Sequence, residues 1–298
     1  MILYEQARAK INLSLDITGK RENGYHEVRM IMQTMDLCDD LSFETGKPQS
    51  GTVLKTDNEM LNDEQSQGTD NLIVKAAKLL EEKSGKKFDV VITLSKRIPI
   101  AAGMAGGSSD AAAALRGLNR LFELGFSMEE LKTMAVKIGA DVPFCVEGGL
   151  CLSEGIGEVL TKLTPLPSIP TVICKPNVFV STKDVYKAFD SQENPMHPDV
   201  DGMLKCIEAY DAAGVSGLMM NILEPVTVKE HPVISEIEKN LESLGATKAI
   251  MSGSGPTVFG LFNSVKEASE AAEKLKEIYP DFDIHSTKFS NTKKNHFE

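Results

Sequence analysis

The chain predicts an α+β fold, and three observations carry that expectation. Residues 7–17 alternate apolar and polar at the two-residue period of a strand. A run of glycine, alanine and serine between residues 99 and 114 passes from a strand pattern straight into a helix pattern. Strand and helix patterns then mix without the steady βαβ alternation of a doubly wound sheet. A length of 298 residues suits one large domain or two ordinary ones. Pro165, Pro167 and Pro170 punctuate the middle and place a boundary near residue 160, giving units 1–160 and 161–298.

In the first strand Ala7, Ala9, Ile11, Leu13, Leu15 and Ile17 face one way and Arg8, Lys10, Asn12, Ser14 and Asp16 the other. This reads as a half-buried strand with Lys10 and Asn12 side by side on its polar face. Asn23-Gly24 is a hairpin signal, with strand candidates at 28–37 and 41–44 beyond it. Residues 71–83 carry a helical stripe of Leu72, Ala76, Leu79 and Leu80, and 88–94 is a further strand. The alanine-rich helix after residue 107 places Ala111, Ala114, Leu115, Leu118, Leu121 and Phe122 on one stripe. Ser127 with Glu130 is a capping box, and Gly139 is expected to end the helix it opens. Asp141 then lies just past a helix end. In the second half strands are expected at 171–175, 248–251, 258–262 and 283–289, with helices over most of 202–223 and over 265–278. The tail 291–296 has little to bury and is expected to fray.

Pro99-Ile100-Ala101-Ala102-Gly103-Met104-Ala105-Gly106-Gly107-Ser108-Ser109 is the most informative stretch. Small residues let backbone approach a ligand, and the first amides of the following helix have no intrahelical partner. Free N–H groups at the positive end of a helix dipole suit a phosphate, so the stretch points to an anion cradle for a nucleotide. No lysine follows Gly107 as a Walker A loop requires, and glycines 103, 106 and 107 lack the dinucleotide-fingerprint spacing. A tight turn without a ligand is the alternative for a glycine pair alone.

A net charge of −11 argues against a general nucleic-acid binder while leaving anionic small substrates open. No apolar run approaches the roughly 20 residues of a membrane span, and the first residues lack a signal-peptide pattern. The five cysteines contain no Cys-x-x-Cys pair, which predicts reduced thiols and a cytoplasmic protein. The histidines show no metal-ligand spacing.

Three segments together resemble the GHMP kinase superfamily. They are Ala9-Lys10-Ile11-Asn12-Leu13, the run Pro99–Ser109 with Met104 where the family has leucine, and Met251-Ser252-Gly253-Ser254-Gly255-Pro256. Within the superfamily, Gly19–Glu27 and Gly139–Phe144 resemble the branch that phosphorylates the 2-hydroxyl of a cytidine-diphosphate-linked methylerythritol for isoprenoid precursors. Asn23 stands where that branch has aspartate. The resemblance implies an N-terminal domain like the second domain of ribosomal protein S5, a ferredoxin-like C-terminal domain and an active site in the cleft between them.

It also implies roles, all of them expectations. Asp141 is the general base and Lys10 its cationic neighbour; from the residues alone they read as a turn aspartate and a solvated strand lysine. Pro99 through Ser109 bind ATP, helped by Lys96 and Asn71, with a serine hydroxyl, Ser109, beside Mg²⁺. Asn12, Tyr25, His26, Thr182, Tyr186, Gly253, Ser254 and Gly255 bind the cytidine diphosphate substrate, the base lying between Tyr25 and Tyr186. The alternatives are another GHMP kinase, of homoserine or mevalonate type, and a catalytically silent nucleotide sensor.

Overall fold

The computed structural model describes residues 1–45, 51–58, 61 and 71–291. The expected fraying of the tail lies, beyond Asn291, outside the described residues.

Two long strands dominate the first half. Strand β1 (Ile2–Lys20) turns at 21–25 into β2 (His26–Glu44), and the two pair antiparallel along their length. The Asn-Gly turn forms as the sequence predicts, with Gly24 at φ 87° and its N–H donating to the Arg21 carbonyl. The two strand candidates at 28–37 and 41–44 are one continuous strand. Strands β3 (Thr52–Thr56) and β4 (Val90–Ser95) extend the sheet from the Asp40–Glu44 end of β2. Strands β5 (Leu150–Glu154) and β6 (Val159–Lys162) extend it from the Met30–Gln33 end.

Helices α1 (Leu72–Ser84) and α2 (Gly106–Leu121) cover one face, packing on Leu41, Phe43, Val90, Ile92 and Leu94. Their approach is close: a Cβ on Gly117 of α2 would stand 2.5 Å from the Phe43 ring. Helix α2 is buried all round from Ser109 to Leu115, more than one stripe predicts, because the four alanines at 111–114 let neighbours approach on every side. Helix α3 (Met128–Ala135) begins with the predicted capping box. It ends at Ala135, before the expected glycine stop at 139, and α4 (Val142–Glu147) follows a short turn.

The second half builds an antiparallel sheet from β7 (Pro170–Lys175), β9 (Lys248–Met251), β10 (Val258–Leu261) and β11 (Asp283–Lys288), in the order β11-β7-β10-β9. Between β7 and β9 run helices α5 (Thr182–Phe189), α6 (Val200–Glu208), α7 (Ala212–Gly217), α8 (Glu224–Glu230) and α9 (Val233–Ser243). Helix α10 (Val265–Ile278) joins β10 to β11. That strand order with helical crossovers is the ferredoxin-like arrangement. The sheets divide between Lys162 and Pro170, so a boundary at residue 160 would cut β6. A two-residue strand, β8 (Met220–Asn221), returns to the first sheet and pairs parallel with β1.

The sheets share a core. Ala9, Ile11, Leu13 and Ile31 pack with Ile173, Ile250, Phe259 and Leu261. The structure therefore corrects the half-buried reading of β1. Lys10, Asn12, Ser14 and Asp16 are as enclosed as the apolar row, at 4%, 0%, 0% and 8% exposure.

Candidate active site

The polar row of β1 supplies the first site residue. Lys10 Nζ donates to Asn12 Oδ1 at 2.8 Å and lies 3.6 Å from Asp141 Oδ2. Asn12 Nδ2 meets the Met30 sulfur at 3.3 Å. With its carboxamide spent this way and fully buried, Asn12 orients Lys10 instead of facing a ligand, which corrects its assignment to the substrate. Asp141 heads α4 without capping it, so its carboxylate is left for other chemistry; it keeps a third of its side chain exposed. The site thus pairs an enclosed ammonium with an accessible carboxylate.

The glycine-rich loop lies beside this pair, and the Lys10 N–H donates to the Met104 carbonyl at 3.1 Å. Ala101 and Ala105 are both left-handed, at φ 52° and 55°, a conformation that costs a residue with a Cβ and is held by the surrounding packing. Helix α2 opens with no side-chain cap, and its first bond runs from the Ser109 N–H to the Ala105 carbonyl. The amides of Gly106, Gly107 and Ser108 are therefore the orphan donors of the helix start, as an anion cradle requires. In front of them opens a cavity of about 560 Å³ walled by Leu72, Leu94, Pro99, Ile100, Ala101 and Gly107, with Asn71, Lys96 and Asp110 as its polar groups. Such a volume is in the range of a small-molecule site.

Within the loop the structure reassigns several residues. Ala102 and Met104 point into the core. Ser109 is 2% exposed and donates its hydroxyl to the Arg8 carbonyl at 2.6 Å, which removes it as a Mg²⁺ ligand. Gly103 lacks a side chain because a Cβ there would overlap the Ser252 carbonyl oxygen, not because a phosphate needs the space. A Cβ on Gly106 would press on Ile98 and Lys96, whereas one on Gly107 would make only an ordinary 3.7 Å contact with Leu72 on the cavity wall. Asn71 caps α1 through the Ile73 N–H and also lines the cavity.

Lys96 is not a free cation reaching for the nucleotide. Its ammonium sits 2.5 Å from Asp39 and 2.9 Å from Asp110, with all three side chains buried. Burial pushes the Asp110 carboxyl up to about 8, against the pull of Lys96 and with added repulsion from Asp39. Sequence reasoning missed Asp39 and Asp110. Nothing local marks Asp39 among the other aspartates of its strand, since its partner is 57 residues away in sequence.

On the far side of Asp141 are the aromatic residues. Tyr25 stands at the hairpin, 58% exposed. The ring that faces Tyr186 is His26, with centroids 4.9 Å apart and planes tilted by 41°. Tyr186 thus packs against His26, while the Tyr25 ring stays mostly exposed. Burial, then the negative charge of Asp141, raises the Tyr186 hydroxyl pKa. His26 Nε2 is 2.7 Å from Asp190 Oδ1, and Lys20 holds the other oxygen at 2.5 Å. These hydrogen bonds, Lys20 first, keep the Asp190 carboxyl below its usual range. Asp190 was also missed, since nothing local marks it. The Thr182 and Ser254 hydroxyls meet at 2.9 Å, joining α5 to the loop 252–256, where Gly253 and Gly255 take φ 61° and 89°. That loop is a tight turn closed by the Gly255 N–H on the Ser252 carbonyl, so its glycines serve the turn whatever else they hold.

Two family models match the chain: GHMP kinases N terminal domain over residues 71–149 and GHMP kinases C terminal over residues 203–281. The chain is similar to the 4-diphosphocytidyl-2-C-methyl-D-erythritol kinase of Lachnoclostridium phytofermentans, at 49% identity over 92% of this chain and 93% of that one. It belongs to that family of GHMP kinases. The enzyme of the same name from Clostridioides difficile is 46% identical over 92% of this chain and 93% of its own. A crystal structure of 4-(cytidine 5'-diphospho)-2C-methyl-D-erythritol kinase superposes with a TM-score of 0.81 at 31% identity, over 97% of this chain and all of that one. A homoserine kinase from Cytophaga hutchinsonii, at TM-score 0.77 and 19% identity over 98% of this chain and 96% of that one, shares the fold. The GHMP kinase fold explains why the Lys10–Asp141 pair and the glycine-rich loop, far apart in sequence, meet where the two sheets join.

Proposed function

We propose that the protein transfers the γ-phosphoryl group of ATP to the 2-hydroxyl of 4-diphosphocytidyl-2-C-methyl-D-erythritol, in the synthesis of isoprenoid precursors. The observation that carries this reading is the meeting of three parts in one cleft. The Lys10–Asp141 pair, the uncapped start of α2 and the His26–Tyr186 rings adjoin, with Tyr186 close enough to feel the charge of Asp141. Relatives at 43–49% identity carry the name of that kinase.

Phosphoryl transfer asks for positioning and charge neutralisation more than for covalent chemistry. ATP lies with its base in the cavity beside Asn71 and its phosphates on the amides of residues 106–108. Asp141 accepts the proton of the substrate hydroxyl as that oxygen bonds the γ-phosphorus and the bond to the ADP oxygen breaks. Lys10, aimed by Asn12, balances the negative charge that develops. Tyr25, His26 and Tyr186 hold the cytosine. Mg²⁺ carried with ATP would supply charge neutralisation at the phosphates; among the described residues no cluster of three His, Cys, Asp or Glu side chains would cage it. Five cysteines that form no disulfide favour a cytoplasmic setting.

The test is kcat/KM with Mg–ATP for the cytidine-bearing alcohol, homoserine and mevalonate. The cytidine substrate should be preferred by orders of magnitude. Faster turnover of homoserine or mevalonate overturns the substrate assignment, and no turnover of any alcohol favours a nucleotide sensor.

A further inference from the structure

Two loops that the functional reading treats separately are locked together through backbone. Ser252 Oγ donates to the Gly103 carbonyl at 3.1 Å. A Cβ on Gly253 would lie 3.1 Å from the same carbonyl oxygen, and one on Gly103 would overlap the Ser252 carbonyl. One residue beyond Gly103, the Met104 carbonyl accepts the Lys10 N–H. The position of the 251–255 turn is thus passed to the phosphate-binding loop and to the strand that carries Lys10.

The turn itself is held by Asn221. This residue is 2% exposed and ends β8, which pairs with β1 at Leu15. Its Nδ2 donates to the Met251 and Gly253 carbonyls, both at 2.8 Å, and its Oδ1 accepts the Leu223 N–H at 3.0 Å. Only a carboxamide offers two donors and an acceptor in that geometry. Glu224 grips the other side of the segment, its Oε2 accepting the Met251 N–H at 2.8 Å. Nothing in the proposed chemistry uses either side chain.

We infer that Asn221 is a positioning residue for phosphoryl transfer, whose carboxamide sets the 251–253 backbone against Gly103 and so keeps the phosphate-binding loop in register with Lys10 and Asp141. The inference rests on the kinase reading given above. Its physical basis is that reacting groups misplaced by about 1 Å cost on the order of 100-fold in rate.

Asn221→Asp keeps the shape and the acceptor while turning both donors into acceptors against carbonyl oxygens. The expected result is a kcat lower by roughly 10- to 100-fold, with the calorimetric Kd for ATP within about threefold of the unaltered protein. The adenine side of the cavity, at Asn71, Leu72 and Pro99, does not touch the turn. Rates are read well below the melting midpoint of the variant. A lowered midpoint with unchanged kcat makes Asn221 a scaffold residue and overturns the inference, as does weakened ATP binding at unchanged kcat. Ser252→Ala deletes only the hydroxyl bond to Gly103 and serves if Asn221→Asp does not fold. It should lower kcat in the same direction with ATP binding kept, and a normal kcat there overturns the inference. Where both variants fold, the double variant should lose less than the product of the single losses, and independent effects count against a shared path. If the unaltered chain does not turn over the cytidine substrate, the functional reading fails instead, and the same comparison is made on the alcohol it does phosphorylate.

Discussion

Lys96→Met keeps most of the side-chain volume and removes a buried ammonium from between two buried carboxylates. The three groups are at most 5% exposed, and one ammonium faces two carboxyl groups, of which Asp110 keeps its proton below about pH 8. Asp39 spends one oxygen on the N–H groups of Arg97 and Ile98, whereas Asp110 Oδ1 has no partner among the described residues. Burial pulls the Lys96 pKa down, but Asp110 and Asp39 outweigh it and the ammonium ends above its usual range. Without it the Asp39 carboxylate loses its ammonium partner in a low-dielectric site. Breaking such an arrangement costs about 3–5 kcal/mol, and at about 2–4 °C per kcal/mol the melting midpoint should fall by roughly 6–20 °C. The loss has a pH signature. The folded-state pKa of Asp110, about 8, lies above its ordinary 3.8, so the folded chain binds the extra proton between those values. Stability from this group is present at low pH and lost as pH rises towards about 8, and in Lys96→Met, which lacks the opposing ammonium, the loss runs on to higher pH. Thermal midpoints from pH 5 to 9 read this directly, and Asp110→Asn should flatten the dependence. A Lys96→Met midpoint at pH 8 within about 2 °C of the unaltered protein refutes the buried-charge argument.

Gly107→Val places a side chain on the cavity side and should weaken ATP binding at least about tenfold by calorimetry. Gly106→Ala instead presses on Ile98 and Lys96, 3.1 and 3.2 Å away, and should cost about 1–3 kcal/mol of stability; equal ATP affinities in the two variants move the phosphates off this loop. Asp141→Asn should lower kcat by about 10²–10⁴ with substrate and ATP affinities kept, and a change in affinity alone makes Asp141 a positioning group. Tyr186→Ala removes the ring against His26 and should cost on the order of 1–3 kcal/mol of cytidine-substrate binding, by analogy with base stacking, while Tyr186→Phe stays mild and ATP affinity holds; normal substrate affinity in Tyr186→Ala removes that ring from the site.

Much of the architecture was legible because its signals are local. The alternation of residues 7–17, the Asn-Gly turn and the Ser127 capping box each depend on neighbours within a few residues, and each formed. The glycine-rich stretch announced an uncapped helix start for the same reason. What sequence could not assign was which neighbour each small residue makes room for. Gly103 and Gly106 read as space for phosphate, yet the space belongs to Ser252 and to Ile98 with Lys96. Asp190 and Asn221 left no trace, because their partners at 26 and 251–253 are brought to them only by the fold. The contact of His26 with Tyr186 was likewise illegible, because only the fold brings the two rings together.

The burial of β1 on both faces is the error with the most physical content. A strand with alternating polarity ordinarily leaves its polar row in water, where a lysine and an aspartate 3.6 Å apart would attract each other weakly through a high dielectric. Here that row is roofed. Met30 lies over Asn12, Asp141 over Lys10, and His197 closes on Asp16 at 2.7 Å. Each roof comes from a different part of the chain, and His197 belongs to the second half. Excluding water on the Lys10 side strengthens its field on Asp141, while the accessible side of Asp141 stays open to a substrate hydroxyl. The first half therefore encloses the Lys10 end of the row by itself, and the second half, through His197, completes the cover at Asp16. This is why the groups that tie the halves together, Asp190 and Asn221 among them, matter to the chemistry as well as to the fold.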